Sequence, residues 1–168
     1  TIHDDHPKGR ISVSEVIKFS SNIGPAKLAF RLGAKRTTRY LKDFGFGRFS
    51  SEAIPGSAPG LLQNPDRIKP IELATTAYGH GVNASVLQLA SATATLGNDG
   101  VRMKPLLVKE VRDPSGVTVR VHHPEIDRRV VSPEAASAVI DMMVSVGEPG
   151  GTGTRAAVEG YLVGGKPG

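Results

Sequence analysis

The sequence predicts a helix-rich α/β fold of the α+β kind. Two observations predict helices: an amphipathic stretch over Ile11–Leu32 that a polar corner divides in two, and a stripe of small and apolar residues over Val86–Leu96. A third observation predicts a hairpin, because Leu106–Val111 and Val117–Val121 alternate like strands on either side of the turn sequence Asp113-Pro114-Ser115-Gly116.

Composition and charge favour one globular domain. The chain has 168 residues, 39% hydrophobic and 22% charged, and a chain of about 150 residues buries roughly 68–70% of its unfolded surface. The absence of cysteine excludes disulfides, thiolate nucleophiles and zinc ribbons. The net charge is +5, but no aromatic residues interleave with the one basic cluster, Lys35, Arg36 and Arg39, so no nucleic-acid partner is predicted. No run of about 18 apolar residues is present, and we expect any membrane anchor to lie outside this chain.

The first helical stretch has recognisable ends. Ser12 and Glu15 have the spacing of a capping box, in which each side chain bonds the other residue's backbone N–H. The corner Ser20-Ser21-Asn22 separates the two helices, and we predict that its asparagine caps the second helix. Pro25 suits the first turn of that helix and Gly33 its left-handed end. Taken by itself, such a corner is also an ordinary helix–helix turn.

The middle of the chain predicts further helices. Lys35–Asp43 is predicted to be a basic helix that Thr37 caps and the glycines of DFGFG end. Pro70–Tyr78 is a short element whose type the pattern leaves open. The stripe over Val86–Leu96 predicts a buried helix in an all-helical lobe, because small side chains let helices approach closely.

The last third predicts one more helix and one strand. Ser132-Pro133 marks a helix start, with proline in the first helical position. The apolar face predicted for this helix comprises Ala135, Ala138, Val139, Met142 and Met143. After a glycine-rich loop, Tyr161–Val163 is predicted to be a strand that leads into Gly164-Gly165-Lys166-Pro167-Gly168.

Three other patterns suggest sites that we do not favour. His3-Asp4-Asp5-His6 offers metal ligands, but adjacent side chains rarely converge on one ion, so no metal site is predicted. His80 between two glycines could be a general base, although a tight turn explains the glycines equally well. Gly160 to Lys166 half-matches a phosphate-binding loop, but Pro167 stands where that loop needs Ser or Thr. No cofactor is predicted.

An S-x-N corner followed by a strand that ends G-K-x-G resembles the second and third active-site motifs of the penicillin-binding proteins. The runs HPKGRISVSEVIKFSSNIGPAKLA, DFGFG, AYGHGVNASVLQLASATATLGNDG and GGTGTRAAVEGYLVGGK are similar to the class B members, and most similar to the septal, cell-division type. The resemblance implies a piece of the penicillin-binding serine transpeptidase (beta-lactamase-like) fold. Two departures stand out: no serine has lysine three positions later, and the third motif is K-P-G instead of K-T-G or K-S-G. Residues 1–168 are therefore expected to be a partial transpeptidase domain that lacks the S-x-x-K part.

The resemblance also implies a role for each site residue. Lys166 would attract the terminal carboxylate of the substrate, and Ser20 would relay a proton between Lys166 and the nucleophile. Asn22 would donate to the substrate's amide carbonyl. The substrate would bind along Gly165, Pro167 and Gly168. Proline lacks the hydroxyl that helps to bind the carboxylate, and one lost hydrogen bond to a charged group costs about 1.5–3 kcal/mol, so we expect binding roughly 10- to 100-fold weaker.

The implied function is that of a peptidoglycan D,D-transpeptidase. A serine attacks D-Ala-D-Ala, and an amine from a second stem peptide resolves the acyl-enzyme. The implied partners are stem peptides, β-lactams and division proteins, at the outer (periplasmic) face of the cytoplasmic membrane. The chain by itself is expected to be inactive because it lacks the nucleophile. A non-catalytic binding or scaffold module of the same fold is the alternative.

Overall fold

The computed structural model describes residues 1–48 and 56–166, so Pro167 and Gly168 lie outside the described residues. Helices and strands follow in this order: α1 Val13–Lys18, α2 Ile23–Leu32, α3 Ala34–Phe44, α4 Pro70–Ala77, α5 Val86–Gly97, β1 Val101–Met103, β2 Glu110–Arg112, β3 Thr118–Val121, β4 Ile126–Arg129 and α6 Pro133–Val144. Helix α2 packs against α3 and α4, α5 packs against α6, β1 and α3, and α1 packs against α6. None of the helices in these ranges is long and apolar enough to cross a bilayer.

The strands form two separate antiparallel pairs. Pair β2–β3 is the predicted hairpin, and the Asp113 carboxylate holds its turn by accepting the N–H groups of Ser115 at 2.9 Å and Val117 at 3.0 Å. Its first strand begins at Glu110 and not at Leu106, so that boundary was wrong. Pair β1–β4 was not predicted, because strands of three and four residues are too short to show alternation.

The predicted burial of α5 and α6 was wrong in part. In α5, Val86 is 83% exposed and Leu89 is 54% exposed, whereas Gln88 is 1% exposed. In α6, Ala136 is fully buried, and the predicted core residues Ala135 and Ala138 are exposed. Periodicity identifies the apolar face of a helix but not the face that its neighbours cover. Here α5 packs against β1 and α6 and buries the polar residues Gln88 and Thr95, so its lobe is not all-helical.

The buried side chain of Gln88 in α5 makes hydrogen bonds at a position where an apolar side chain would usually pack. Its Nε2 donates to the carbonyls of Gly45 at 3.2 Å, Arg48 at 2.8 Å and Pro59 at 2.8 Å, and its Oε1 accepts from Ser85 N–H at 2.9 Å. A buried amide is tolerated only when it is bonded in this way. Gln88 therefore joins the end of α3 and the loop before α4 to the start of α5.

Replacing Gln88 by leucine is expected to lower the free energy of unfolding by about 2–4 kcal/mol, because the volume is nearly kept while several buried groups lose their partner. Urea unfolding measures the change. Gln63 is the matched control, since its side chain makes no hydrogen bond within the described ranges. An equal effect of Q63L and Q88L would show that the hydrogen bonds of Gln88 are unimportant.

The start of α3 differs from its prediction, and the element whose type the sequence left open is a helix. Helix α3 begins directly after Gly33 with no side-chain cap, and Thr37 lies inside it with a buried hydroxyl that finds no partner. The prediction that Thr37 caps α3 was wrong. Pro70–Ala77 is a helix, and a turn follows in which Gly79 has φ +101° and His80 is exposed.

The predicted last strand is not observed within the described residues. Tyr161 is 77% exposed and Leu162 is 89% exposed, and Tyr161–Val163 pairs with no strand in ranges 1–48 and 56–166. An extended segment becomes a strand only when a neighbour completes its hydrogen-bond ladder.

Candidate functional site

The end of α1 places Ser20 in an unusual backbone conformation. Ser21 N–H donates to the Val16 carbonyl at 3.0 Å, and Ser20 N–H donates to the Ile17 carbonyl at 3.1 Å. These two bonds form a Schellman motif, whose first residue after the cap is left-handed and is usually glycine. Ser20 takes that position with φ +53°. The end of α1 therefore fixes the backbone that carries the Ser20 hydroxyl. The left-handed conformation costs about 1–2 kcal/mol for a residue other than glycine.

Ser21, the residue after Ser20, supplies a capping bond at the start of α2. Ser21 is 5% exposed, and its Oγ accepts Gly24 N–H at 3.0 Å, which is the bond of an N-cap. Asn22 has helical dihedral angles (φ −86°, ψ −34°) and no capping bond. The prediction that Asn22 caps α2 was therefore wrong by one residue, because a residue that is already helical cannot cap. Ser21 therefore takes part in both the end of α1 and the start of α2, so hydrogen bonds fix the short connection between the two helices.

Asp4 completes this helix start from a distant segment. Its Oδ1 accepts the N–H groups of Asn22 at 2.6 Å and Ile23 at 3.0 Å, and its Oδ2 accepts the Ser21 hydroxyl at 2.9 Å. The first N–H groups of a helix have no partner within the helix and favour a negative charge. Asp4 supplies that charge.

The pKa of Asp4 reflects these contacts. Desolvation raises it, but the hydrogen bonds from Ile23, Ser21 and Asn22, together with the positive charge of Lys27, outweigh that effect. The net result is a pKa of the Asp4 carboxyl below its ordinary value of 3.8. Asp4 is therefore ionised at neutral pH, in the state that accepts all three bonds.

The same segment orients the Asn22 side chain. Its Nδ2 donates to the His3 carbonyl at 3.1 Å. An amide nitrogen carries two hydrogens, so one such bond sets the orientation and leaves a second donor for a ligand. Asn22 is therefore a pre-oriented donor immediately before α2.

Contacts with α6 hold the segment that carries Lys166 near the corner. Gly165 N–H donates to the Met143 carbonyl at 3.1 Å, and a Cβ on Gly164 would lie 3.3 Å from Met143 Cβ, so the glycine allows a close approach. Helix α1 packs against α6, and the Thr152 hydroxyl donates to the Lys18 carbonyl at 3.1 Å. The end of the described chain is thereby held beside the end of α1.

Lys166 and Ser20 are in direct contact. Lys166 Nζ donates to Ser20 Oγ at 2.6 Å, across 146 positions of sequence. Desolvation lowers the pKa of the Lys166 amine from its ordinary value of 10.5. An ammonium held against a hydroxyl can stabilise negative charge on that oxygen and can pass a proton through it. The arrangement provides a cation, a hydroxyl and an amide donor on one surface, which suits recognition of a carboxylate-bearing acyl substrate.

Sequence reasoning selected Ser20, Asn22, Gly165 and Lys166. The structure brings Lys166 against Ser20, two residues before Asn22, and it holds Gly165 beside Lys166 through a bond to Met143 of α6. Sequence reasoning missed the role of Asp4, which was considered only as one of four disfavoured metal ligands, because no local pattern indicates a bond that spans 17 residues. It also gave Ser21 no role of its own. Within the described ranges, no group of three or more His, Asp or Glu side chains could hold a metal ion.

The family model for the penicillin binding protein transpeptidase domain matches residues 1–168. The chain belongs to the penicillin-binding protein transpeptidase family. The resemblance read from the motifs is therefore confirmed, and so is the fold class. The contact between Ser20 and Lys166 joins the first residue of the S-x-N motif to the lysine of the third motif.

The chain is also similar in sequence and structure to individual members of the transpeptidase family. The chain is 37% identical over 167 residues to the probable peptidoglycan D,D-transpeptidase PenA of Neisseria meningitidis, covering 99% of this chain and 27% of that protein. It is 38% identical over 172 residues to the probable peptidoglycan D,D-transpeptidase FtsI of Caulobacter vibrioides, covering 100% of this chain and 27% of that protein. The crystal structure of penicillin-binding protein 3 from Mycobacterium tuberculosis complexed with ampicillin matches with a TM-score of 0.88 and 31% identity, over 98% of this chain and 38% of that one. The chain thus spans about a quarter of the length of these two curated relatives.

Proposed function

We propose that residues 1–168 are an internal part of a peptidoglycan D,D-transpeptidase of cell division, which acts at the outer face of the cytoplasmic membrane. The observation that supports this most is the 2.6 Å contact between Lys166 Nζ and Ser20 Oγ. It brings together two motifs of the family that lie at opposite ends of the chain. The names of the relatives support the enzyme and not the scaffold alternative.

The reaction is acyl transfer in two steps. A serine outside residues 1–168 adds through its Oγ to the carbonyl carbon of the penultimate D-alanine, and the terminal D-alanine leaves with the proton that the serine gave up. An amine of a second stem peptide then attacks the ester carbonyl, and the serine recovers its proton. A β-lactam takes the place of D-Ala-D-Ala in the first step, and its opened ring stays attached to the carbonyl that is transferred. Ampicillin in the mycobacterial relative supports this substrate class.

The residues of this chain assist that chemistry in three ways. Lys166 binds the substrate's terminal carboxylate and polarises the Ser20 hydroxyl. Ser20 relays the proton between Lys166 and the attacking serine. Asn22 donates its second Nδ2 hydrogen to the amide carbonyl next to the reacting bond. All three groups are held before the substrate arrives, and pre-orientation is the largest contribution that a rigid site makes.

Labelling of the full-length protein with a fluorescent penicillin tests the proposal. We expect one covalent adduct, mapped by mass spectrometry to a serine outside residues 1–168. We also expect the protein to exchange the terminal D-alanine of a stem pentapeptide for a labelled D-amino acid. The chain 1–168 alone should form no adduct. A full-length protein that forms no adduct, or an adduct on a serine within residues 1–168, would refute the proposal.

A further inference from the structure

We propose that Asp4 is a positioning residue for acyl transfer, whose carboxylate holds the corner that presents Ser20 and Asn22 to the substrate. This inference rests on the function proposed above and adds a residue to its machinery. The Asp4 carboxylate bonds the Ser21 hydroxyl and the N–H groups of Asn22 and Ile23, so it acts through the backbone and through Ser21.

The contacts of Asp4 converge on the residue between the two functional side chains. The carboxylate accepts the Ser21 hydroxyl at 2.9 Å and the N–H groups of Asn22 at 2.6 Å and Ile23 at 3.0 Å. Ser21 in turn accepts Gly24 N–H at 3.0 Å and is buried. Because Ser21 is bonded to Ser20 on one side and to Asn22 on the other, a movement of Ser21 moves both.

The left-handed conformation of Ser20 makes this restraint necessary. A non-glycine residue with φ +53° persists only where its surroundings determine it. Without Asp4, the N–H groups of Asn22 and Ile23 lose their acceptors, and the start of α2 can fray. Ser20 can then relax, and its hydroxyl moves away from Lys166. A displacement of about 1 Å in such a site can cost up to about 100-fold in rate.

The experiment compares D4N with D5N in the full-length protein. The amide of D4N keeps the size of the carboxylate but has no charge and one acceptor oxygen instead of two. Asp5 is the adjacent carboxylate, is exposed, and makes no hydrogen bond or ion pair within the described ranges. Both variants change the charge equally, so the difference between them reports the contacts of Asp4 alone.

The first measurement is the first-order rate constant for acylation by a fluorescent penicillin, at a temperature where all the proteins are folded. We expect D4N to be roughly 10- to 100-fold slower and D5N to stay within about twofold of the wild type. Partial unfolding would lower the amount of adduct and leave the rate constant of the folded molecules unchanged. The rate constant therefore separates a positioning role from a merely structural one.

The second measurement is amide hydrogen exchange in a peptide that covers residues 19–25, which does not depend on activity. Exchange should be faster in D4N and unchanged in D5N. If D4N does not fold, S21A removes one hydroxyl from the same network and is measured in its place. Acylation of D4N, or of S21A in that case, at the wild-type rate overturns the inference. A wild-type protein that is not acylated at all instead refutes the proposed function, so the two failures are distinguishable.

Discussion

Replacing Lys166 by alanine is expected to slow acylation of the full-length protein by a penicillin about 100- to 10,000-fold, the range that a positioned proton-transfer group contributes. The reason is the direct contact of Lys166 Nζ with Ser20 Oγ. In the proposed mechanism, loss of the ammonium removes the charge that polarises the Ser20 hydroxyl and the counter-ion of the substrate carboxylate. Stopped-flow measurement of the acylation rate constant checks the prediction.

Lys109 is the matched control for this substitution. It is also exposed, and its side chain makes no hydrogen bond or ion pair within the described ranges. K109A should acylate at the wild-type rate. A loss below about tenfold in K166A would contradict the role of Lys166, since it would be smaller than the contribution of a proton-transfer group.

The dependence of acylation on pH tests which form of Lys166 is active. Desolvation lowers the pKa of the amine from 10.5, so the protonated form is lost at a lower pH than in a free lysine. If the ammonium is the active form, acylation falls as pH rises through this lowered pKa. The arginine of K166R stays charged throughout that pH range. Its acylation rate should therefore be lower than that of the wild type but should not fall at alkaline pH. A rate that rises with pH over the same interval would instead identify the neutral amine as the active form.

Replacing Ser20 is expected to have the second largest effect. Both S20A and S20G remove the hydroxyl, and we expect each to slow acylation about 100- to 1,000-fold, because the relay between Lys166 and the nucleophile is broken. The two variants should differ in stability. Glycine adopts φ +53° without strain, so S20G should be more stable than S20A by roughly 1 kcal/mol.

Urea unfolding and acylation kinetics on the same two proteins separate these effects. If S20A and S20G are acylated equally slowly but differ in their free energy of unfolding, the serine is retained at a strained position for its hydroxyl. Equal stability of S20A and S20G would contradict the strain. Acylation of S20G at the wild-type rate would contradict the relay. Ser115, in the β2–β3 turn, is the control serine, and S115A should not change acylation.

Features determined by neighbours in sequence could be predicted from the sequence itself. The capping box of Ser12 and Glu15 is present, with Glu15 N–H donating to Ser12 Oγ at 3.3 Å. Gly33 ends α2, and Asp113 holds the hairpin turn, as expected. Each of these features depends on bonds within four residues, where residue type and spacing suffice. The paired motifs likewise indicated the family, because they are patterns of residue types.

Tertiary structure alone decided how the site is assembled. Asp4 meets Asn22 and Ser21 across 18 and 17 positions, and Lys166 meets Ser20 across 146, distances over which spacing carries no information about contact. The buried face of α5 was likewise set by which neighbours lie against it, and its apolar pattern was misleading there. Local hydrogen bonds are chosen by the chain's own geometry, whereas long-range contacts depend on the packing of whole elements. The sequence by itself therefore determined the capping box of Ser12 and Glu15, the hairpin turn and the motif residues, whereas packing decided that a distant carboxylate meets Ser21 and a distant lysine meets the left-handed Ser20.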